Sequence, residues 1–190
     1  MSEVCLSREQ LENALWHAVV VCLGMNPEDQ APQNAVRVSW PVYGKPGSNP
    51  GWTRGEDVCF IRLTENTSDP YAGLQDVTHE YDEASAQQRE IVCYTRVHTC
   101  YLIFYGPNAF DHADRVRLAM HRSANLAFLR EKNLYPVPGI GAPVRVPELF
   151  NSEWWDRADL SISLYEYVRR EYNEAHYETA EVKAPAVDNP

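Results

Sequence analysis

The sequence lacks any uninterrupted apolar stretch of about 20 residues, the length that a membrane-spanning helix needs, and its mean hydropathy is -0.46. The first residues, Met1 to Cys5, show no basic segment ahead of an apolar run, so we expect no secretory signal peptide. These absences exclude a membrane-spanning protein. They predict that the chain remains in the cytoplasm of the cell that makes it, or in a particle assembled there.

Positive charge is also scarce. The chain has 17 Lys and Arg residues against 27 Asp and Glu residues, which gives a formal net charge of -10. A protein that binds nucleic acid neutralises phosphates with a basic stripe, and the sequence shows none. An acidic surface instead repels DNA at close range. We therefore predict no direct binding of nucleic acid.

The sequence contains no CxxC pair, and its cysteines are odd in number, so they cannot all form internal disulfides. Each lies in an apolar run with helical or strand-like character. Without an export signal, buried free thiols are favoured over a disulfide framework. The five cysteines are Cys5, Cys22, Cys59, Cys93 and Cys100.

Recognised catalytic motifs are missing: there is no P-loop, GxSxG, HExxH or GxGxxG. His98 and Cys100 share one face of a predicted strand and could form half a metal site or a Cys/His pair. Residues 81–83, Tyr-Asp-Glu, could hold a divalent cation. In both places ordinary structural or solvated residues are the favoured interpretation. We predict a protein that is not an enzyme and has no metal or cofactor.

The 190 residues, 44% of them hydrophobic and 11% aromatic, suffice for a packed core, because domains commonly contain roughly 100–200 residues. We predict a single domain over residues 1–182. Residues 183–190 have no hydrophobic pattern and are expected to form a disordered tail.

Two long helices are predicted. The first covers residues 7–23, where Ser7 and Gln10 form a capping-box pattern. The second covers residues 109–133, with Asn108 as its N-cap. Apolar residues recur at helical spacing in both, which indicates that one face of each packs on a sheet.

Runs of β-branched and aromatic residues predict four strands, at residues 35–40, 57–65, 88–105 and 158–169. The third is long, so we expect one bent strand or two strands with a bulge near residues 96–99. Residues 64–85 are polar and are interrupted by Pro70 and Gly73, and we expect an irregular excursion there. The order α-β-β-β-α-β predicts an α+β fold in which one mostly antiparallel β-sheet packs with two long helices.

Two segments are candidate interaction surfaces. Residues 41–56 contain seven Gly and Pro residues but also carry Tyr43, Trp52 and Arg54, residue types that concentrate binding energy. We predict that this loop is an assembly arm outside the core. Trp154 and Trp155 are adjacent in a predicted turn at residues 153–156, so at least one is expected to be exposed or at an interface.

The last strand begins Arg157-Ala158-Asp159 and continues with alternating apolar residues. This pattern resembles the C-terminal strand of phage neck terminator proteins. Residues 92–104, 108–129 and 135–147 are similar to the long strand, the Asn-capped helix and the Pro/Gly connector of that family. Trp40-Pro41 and the loop that follows also look like this group. The resemblance covers residues 11–172.

The resemblance implies a structural virion protein of a long-tailed bacteriophage, located at the junction of neck and tail and assembled in the host cytoplasm. Family members form hexameric rings that cap the tail tube and join it to the head connector, so the expected partners are further copies, the tube protein and the connector protein. DNA would pass through the ring without specific binding. The family brings no catalytic residues. Two alternatives stay open, another head–tail connector or minor tail protein, and a small host enzyme with an unrecognised site.

Overall fold

The computed structural model of the chain describes residues 3–39, 52–82, 87–150 and 152–174. The helices in these ranges are α1 (Arg8–Cys22), α2 (Ala31–Ala35), α3 (Ala109–Ala119), a 3-10 turn (Ser123–Leu126) and α4 (Ala127–Glu131). The strands are β1 (Glu3–Val4), β2 (Val36–Val38), β3 (Val58–Glu65), β4 (Gly73–Asp82), β5 (Gln87–Tyr105), β6 (Leu134–Pro136), β7 (Val144–Arg145), β8 (Glu148–Phe150), β9 (Glu153–Trp155) and β10 (Arg157–Glu174). None of the described helices is long and apolar enough to cross a membrane.

The main sheet has eight strands and is organised around β5 and β10, which pair antiparallel from Arg157↔Tyr105 to Glu174↔Gln88. Its central order is β1-β10-β5-β3-β2. β3 and β4 pair with successive halves of the same edge of β5, whereas β6 and β7 pair with β10. β2 and β3 are parallel, so the sheet is mixed. β8 and β9 form a separate two-stranded hairpin.

The main core lies between the helices and one face of this sheet. Because side chains alternate along a strand, Leu102 and Phe104 of β5 and Leu160 and Ile162 of β10 point to this face and are buried there. Helix α1 covers them with an apolar side that includes Leu15. The predicted capping box is confirmed at the start of α1, where the Ser7 side chain and the Gln10 side chain each accept from the other residue's backbone N–H.

The predicted second helix, residues 109–133, is wrong in extent. Helix α3 ends at Ala119, and Arg122 adopts an extended backbone before the 3-10 turn begins. The side chain of Asn125 donates to the carbonyl of Ala119 at 3.0 Å. Ser and Asn side chains compete with the helical hydrogen-bond ladder in this way, and Ser123 and Asn125 follow the break directly. The long helix is therefore replaced by three short segments.

Asn108 does not act as the predicted side-chain cap of α3. Its backbone N–H and its side-chain amide both donate to the carboxylate of Asp57, at 2.9 and 2.8 Å. The preceding turn approaches the same residue closely, since a Cβ added at Gly106 (φ +111°) would lie 2.5 Å from Asp57 Oδ1. This contact joins the segment before β3 to the start of α3, and glycine is required at position 106.

The predicted fold class, two long helices on one mostly antiparallel sheet, is wrong. The chain is richer in strands, the sheet is mixed, and only α1 and α3 exceed two helical turns among the described helices. The predicted excursion at residues 64–85 contains the ten-residue strand β4, and the predicted turn at residues 153–156 contains β9. β4 has little apolar alternation because most of its side chains are exposed, so burial left no pattern to detect.

Two other expectations are confirmed in part. Residues 88–105 lie within one continuous strand, so the alternative of two strands is wrong, and the register shift lies in the partner strand β4, between Leu74 and Asp76. All five cysteines fall in the described part of the chain and are free, but only Cys22, Cys59 and Cys100 are buried as expected, whereas Cys5 and Cys93 are partly exposed. Burial raises the pKa of the Cys22 thiol to about 11 and that of the Cys100 thiol to about 12, so both stay protonated near neutral pH.

Candidate functional site

Four aromatic side chains cluster on the face of the sheet opposite the helices, near the end of β5. Trp52 meets Phe60 edge-on, with ring centroids 4.9 Å apart, and lies 6.0 Å from the ring of Trp155. Tyr105 lies 6.1 Å from Phe60 and 6.5 Å from Trp155. These are favourable aromatic geometries. We call this set, Trp52, Phe60, Tyr105 and Trp155, the aromatic end cluster.

The hairpin formed by β8 and β9 covers this cluster. Its cross-strand pairs are Glu148↔Trp155 and Leu149↔Trp154. Opposite residues share a face of a hairpin and successive residues alternate, so Trp155 packs on the cluster while its neighbour points away. Trp154 is 61% exposed and Leu149 is 57% exposed. These two residues make up what we call the outer hairpin face.

Arg157 fixes the hairpin to the sheet. Its guanidinium donates two hydrogen bonds of 2.8 Å to the carboxylate of Asp159, and a third of 3.2 Å to Glu148. The hydroxyl of Tyr105 donates to the same Glu148 oxygen at 2.6 Å, and the guanidinium lies 5.8 Å from the centre of the Tyr105 ring. A bidentate Arg–carboxylate pair is geometrically specific. The Arg-Ala-Asp pattern of the last strand therefore has a structural role here.

Burial and hydrogen bonding favour a neutral Tyr105 and an ionised Glu148. Burial, followed by the hydrogen bond to Glu148, raises the pKa of Tyr105 to about 12. The bond from Tyr105 and then the bond from Arg157 lower the pKa of Glu148, although burial opposes them. At neutral pH a neutral phenol thus donates to a carboxylate. The arrangement suits a rigid support for the outer hairpin face.

The structure brings together four of the five residues singled out as interface candidates. Arg54 is exposed, and its guanidinium lies 3.9 Å from the carboxylate of Glu153 beside the two tryptophans. Trp52, predicted to lie on an arm outside the core, is instead half-buried in the aromatic end cluster. That part of the arm prediction is wrong, because the alternation of β3 and β5 leaves an apolar surface that Trp52 covers. Tyr43 lies outside the described residues.

The exposure expected for one of the two adjacent tryptophans is confirmed for Trp154. The sequence did not reveal which of them is exposed, because the hairpin register decides it. The role of these residues in an interface stays a prediction.

His98 and Cys100 do not form a joint site. Cys100 packs in the main core, whereas Nε2 of His98 lies 2.7 Å from a carboxylate oxygen of Glu166. Glu166, only 1% exposed, also accepts from the backbone N–H of Leu6 and is 3.4 Å from the guanidinium of Arg96. Burial alone would raise the pKa of Glu166, but these donors, led by His98, lower it. The network ties the segment before α1 to the sheet.

Sequence reasoning missed Glu166. The signal was present, because β10 alternates Leu160, Ile162 and Leu164 on its inward face and Glu166 occupies the next inward position. A carboxylate at such a position requires buried partners. In the described part of the chain, no group of three or more His, Cys, Asp or Glu residues is placed to hold a metal ion. Of the candidate cation site at residues 81–83, only the side chain of Tyr81 is described, and it is exposed.

The fold and this surface define a class of protein: a β-rich fold in which helices cover one face of a mixed sheet, while the other face supports an apolar hairpin that points outward. The particular family follows from comparison. A family model described as phage neck terminator protein matches residues 9–188. The chain therefore belongs to the phage neck terminator protein family, as its resemblance implied. None of the curated proteins compared with it is significantly similar.

Proposed function

We propose that the chain is a structural protein of the phage virion that forms a ring at the neck, caps the tail tube and joins it to the head connector. The observation that carries this proposal is the family match, which covers residues 9–188 and so includes almost the whole chain. A ring of six copies of this 21.7 kDa chain would have a mass of about 130 kDa. The ring would form in the host cytoplasm and remain in the particle.

The outer hairpin face is our candidate for the contact with the tail tube. Leu149 and Trp154 expose large apolar side chains next to each other on the hairpin. Val144 of β7 and Val146, which lies between β7 and β8, are exposed as well. Large exposed apolar groups on a rigid support are typical of protein interfaces. The Arg157 network holds the hairpin in place, so little conformational entropy would be lost on docking. Arg54 flanks this face, since its guanidinium lies 3.9 Å from the carboxylate of Glu153. Tyr43 remains an interface candidate on its residue type alone.

The charge of the chain suits a passage for DNA. With a net charge of -10, the ring would repel the duplex as it moves through, and tight adhesion to the wall would be avoided. We therefore propose that DNA passes without specific binding. We propose also that the protein has no catalytic role and no cofactor.

The proposal is tested by adding the purified protein to tail tubes that are growing from purified tube protein. We expect elongation to stop and labelled protein to appear at one end of each tube in electron micrographs. Trp154→Ala should raise the protein concentration required for capping by at least about tenfold, because it removes the largest side chain of the outer hairpin face.

Tyr135→Ala is a matched control, because Tyr135 is another exposed aromatic residue but pairs with Tyr165 in the middle of β10. It should cap like the unmodified protein. Protein that leaves tube growth unchanged but binds the isolated head connector would contradict tube capping and support another head–tail connector function. Binding along the sides of tubes would also contradict the proposal.

A further inference from the structure

One end of the main sheet forms a three-stranded arm. The arm consists of β4, residues 87–94 of β5 and residues 168–174 of β10, which pair side by side. The main core uses residues 100–104 of β5 and residues 158–164 of β10. The arm therefore lies beyond the main core along both long strands.

One side of the arm exposes large side chains. Even-numbered residues of β5 and β10 point to the side of the sheet on which the main core lies, because side chains alternate along a strand. Tyr172 is on this side, and so are Val77 and Tyr81, which pair with Val92 and Gln88. Val77 is 39% exposed, Tyr172 is 41% exposed and Tyr81 is 52% exposed. We call these three residues the inner arm face.

The inner arm face is mainly apolar, although β4 is acidic. Asp76 and Glu80 pair with odd-numbered residues of β5, so they point to the opposite side of the arm. On the inner side, Glu90 pairs with His79, and both Glu90 and Arg170 are partly buried and of opposite charge. Apolar side chains grouped in this way favour a covering segment or partner.

The segment that follows β10 starts beside this face. Glu174, the last residue of β10, pairs with Gln88, and Gln88 pairs with Tyr81 on its other side. Glu174 and Tyr81 are thus two strand spacings apart, about 10 Å. The 190-residue chain continues for 16 residues beyond Glu174, outside the described ranges. Tyr177 is the third of these residues, and three extended residues span about 10 Å, so its ring is within reach of Tyr81.

Residues 175–182, Ala-His-Tyr-Glu-Thr-Ala-Glu-Val, have a suitable length and composition to cover the face. Eight extended residues span about 26 Å, which exceeds the distance of about 13 Å along β4 from Tyr81 to Val77. The segment offers Tyr177 and Val182 as apolar groups, and the family match extends through it to residue 188. A segment tethered beside its site has an effective concentration on the order of millimolar, which favours it over a free partner.

We propose that residues 175–182 dock on the inner arm face of their own chain, with Tyr177 against Tyr81 and Tyr172. The contact covers apolar side chains that the described part of the chain leaves exposed, and it extends the folded domain to residue 182. It lies within one subunit, so it does not depend on the proposed ring. A failure of the docking would leave the proposed function standing.

Limited proteolysis of the full-length protein tests the docking, with chymotrypsin cleavage after Tyr177 followed by mass spectrometry. Docking protects this bond, because a protease cleaves the released segment. Tyr81→Ser, which leaves the cleavage site unchanged, should speed the cleavage by at least about fivefold. Tyr71→Ser is the matched control, because Tyr71 is 64% exposed but contacts Tyr165 on the opposite side of the sheet. It should not change the rate, and circular dichroism checks that both variants are folded.

A second arm of the experiment distinguishes the chain's own segment from that of a neighbour. Tyr81→Ser protein labelled with ¹⁵N is unfolded together with unlabelled, unmodified protein and refolded, so that any assembly contains both chains. Fast release of labelled fragments alone is the expected result. Fast release of unlabelled fragments as well would show that the face binds a neighbour's segment and would overturn the proposal. Equal cleavage rates in folded Tyr81→Ser and unmodified protein would overturn it too.

Discussion

Replacement of each of the two adjacent tryptophans should separate folding from assembly. Trp155 packs against Trp52 and Tyr105 in the aromatic end cluster, whereas Trp154 points outward from the opposite face of the hairpin. Trp155→Ala should therefore destabilise the fold and leave the outer hairpin face in place. Trp154→Ala should leave the fold unchanged and weaken attachment to the tube.

The magnitude for Trp155→Ala follows from its burial. A fully buried Trp replaced by Ala costs about 3–5 kcal/mol, and Trp155 is half-buried, so we expect a loss of about 2 kcal/mol. For a chain of this size each kcal/mol lowers Tm by about 2–4 °C, which gives a decrease of about 4–8 °C. Trp154→Ala should change the free energy of unfolding by at most about 0.5 kcal/mol, as for other exposed positions.

Thermal unfolding followed by circular dichroism gives the comparison without relying on tryptophan fluorescence. Protein concentration must be varied, because a ring stabilises its subunits by mass action. The decrease for Trp155→Ala should persist at the lowest concentration. Equal decreases in Tm for both variants at every concentration, with tube capping intact in both, would refute the assignment of the two faces.

The remaining predictions concern the buried carboxylate and DNA. Glu166→Gln should reduce the free energy of unfolding at neutral pH by about 3 kcal/mol, because it leaves Arg96 and His98 without their buried carboxylate. The folded pKa of Glu166 is lowered from its ordinary value of 4.5, so the stabilisation is present above that value and is lost as pH falls below it. The free energy of unfolding, measured by chemical denaturation between pH 7 and pH 3, should therefore fall less steeply with decreasing pH in the variant than in the unmodified protein. An equal slope in the two proteins would contradict the assignment. In fluorescence anisotropy at physiological salt, duplex DNA should show no measurable binding, and micromolar affinity that weakens steeply with salt would contradict the proposed passage.

Local signals in the sequence were sufficient where the structure depends on near neighbours. The capping box needs only Ser7 and Gln10, which are three residues apart, and it predicted the start of α1. The last strand was predicted because burial on one face imposes alternation over Leu160, Ile162 and Leu164. The predicted strand ends at residue 169, whereas β10 continues to Glu174. Residues 170–173 are partly or fully exposed, so no alternation of buried side chains marks this end of the strand.

Two features were not predictable from the spacing of apolar residues. The helical spacing of apolar residues continues from Met120 to Phe128, yet the side chain of Asn125 ends the helix by bonding to Ala119. Trp52 and Trp155 are far apart in the sequence, and only the sheet brings their rings together. The family resemblance, in contrast, depended on the order of several motifs, and the match over residues 9–188 confirms it.

The central claim is that this member of the phage neck terminator family forms a ring, and the mass of the unmodified protein in solution tests it most directly. Light scattering on the purified protein should give about 130 kDa, the mass of six copies of a 21.7 kDa chain. Electron micrographs of the same sample should show annular particles with a central channel. A mass of one chain across the micromolar range, in the presence and absence of tail tubes, would contradict the claim.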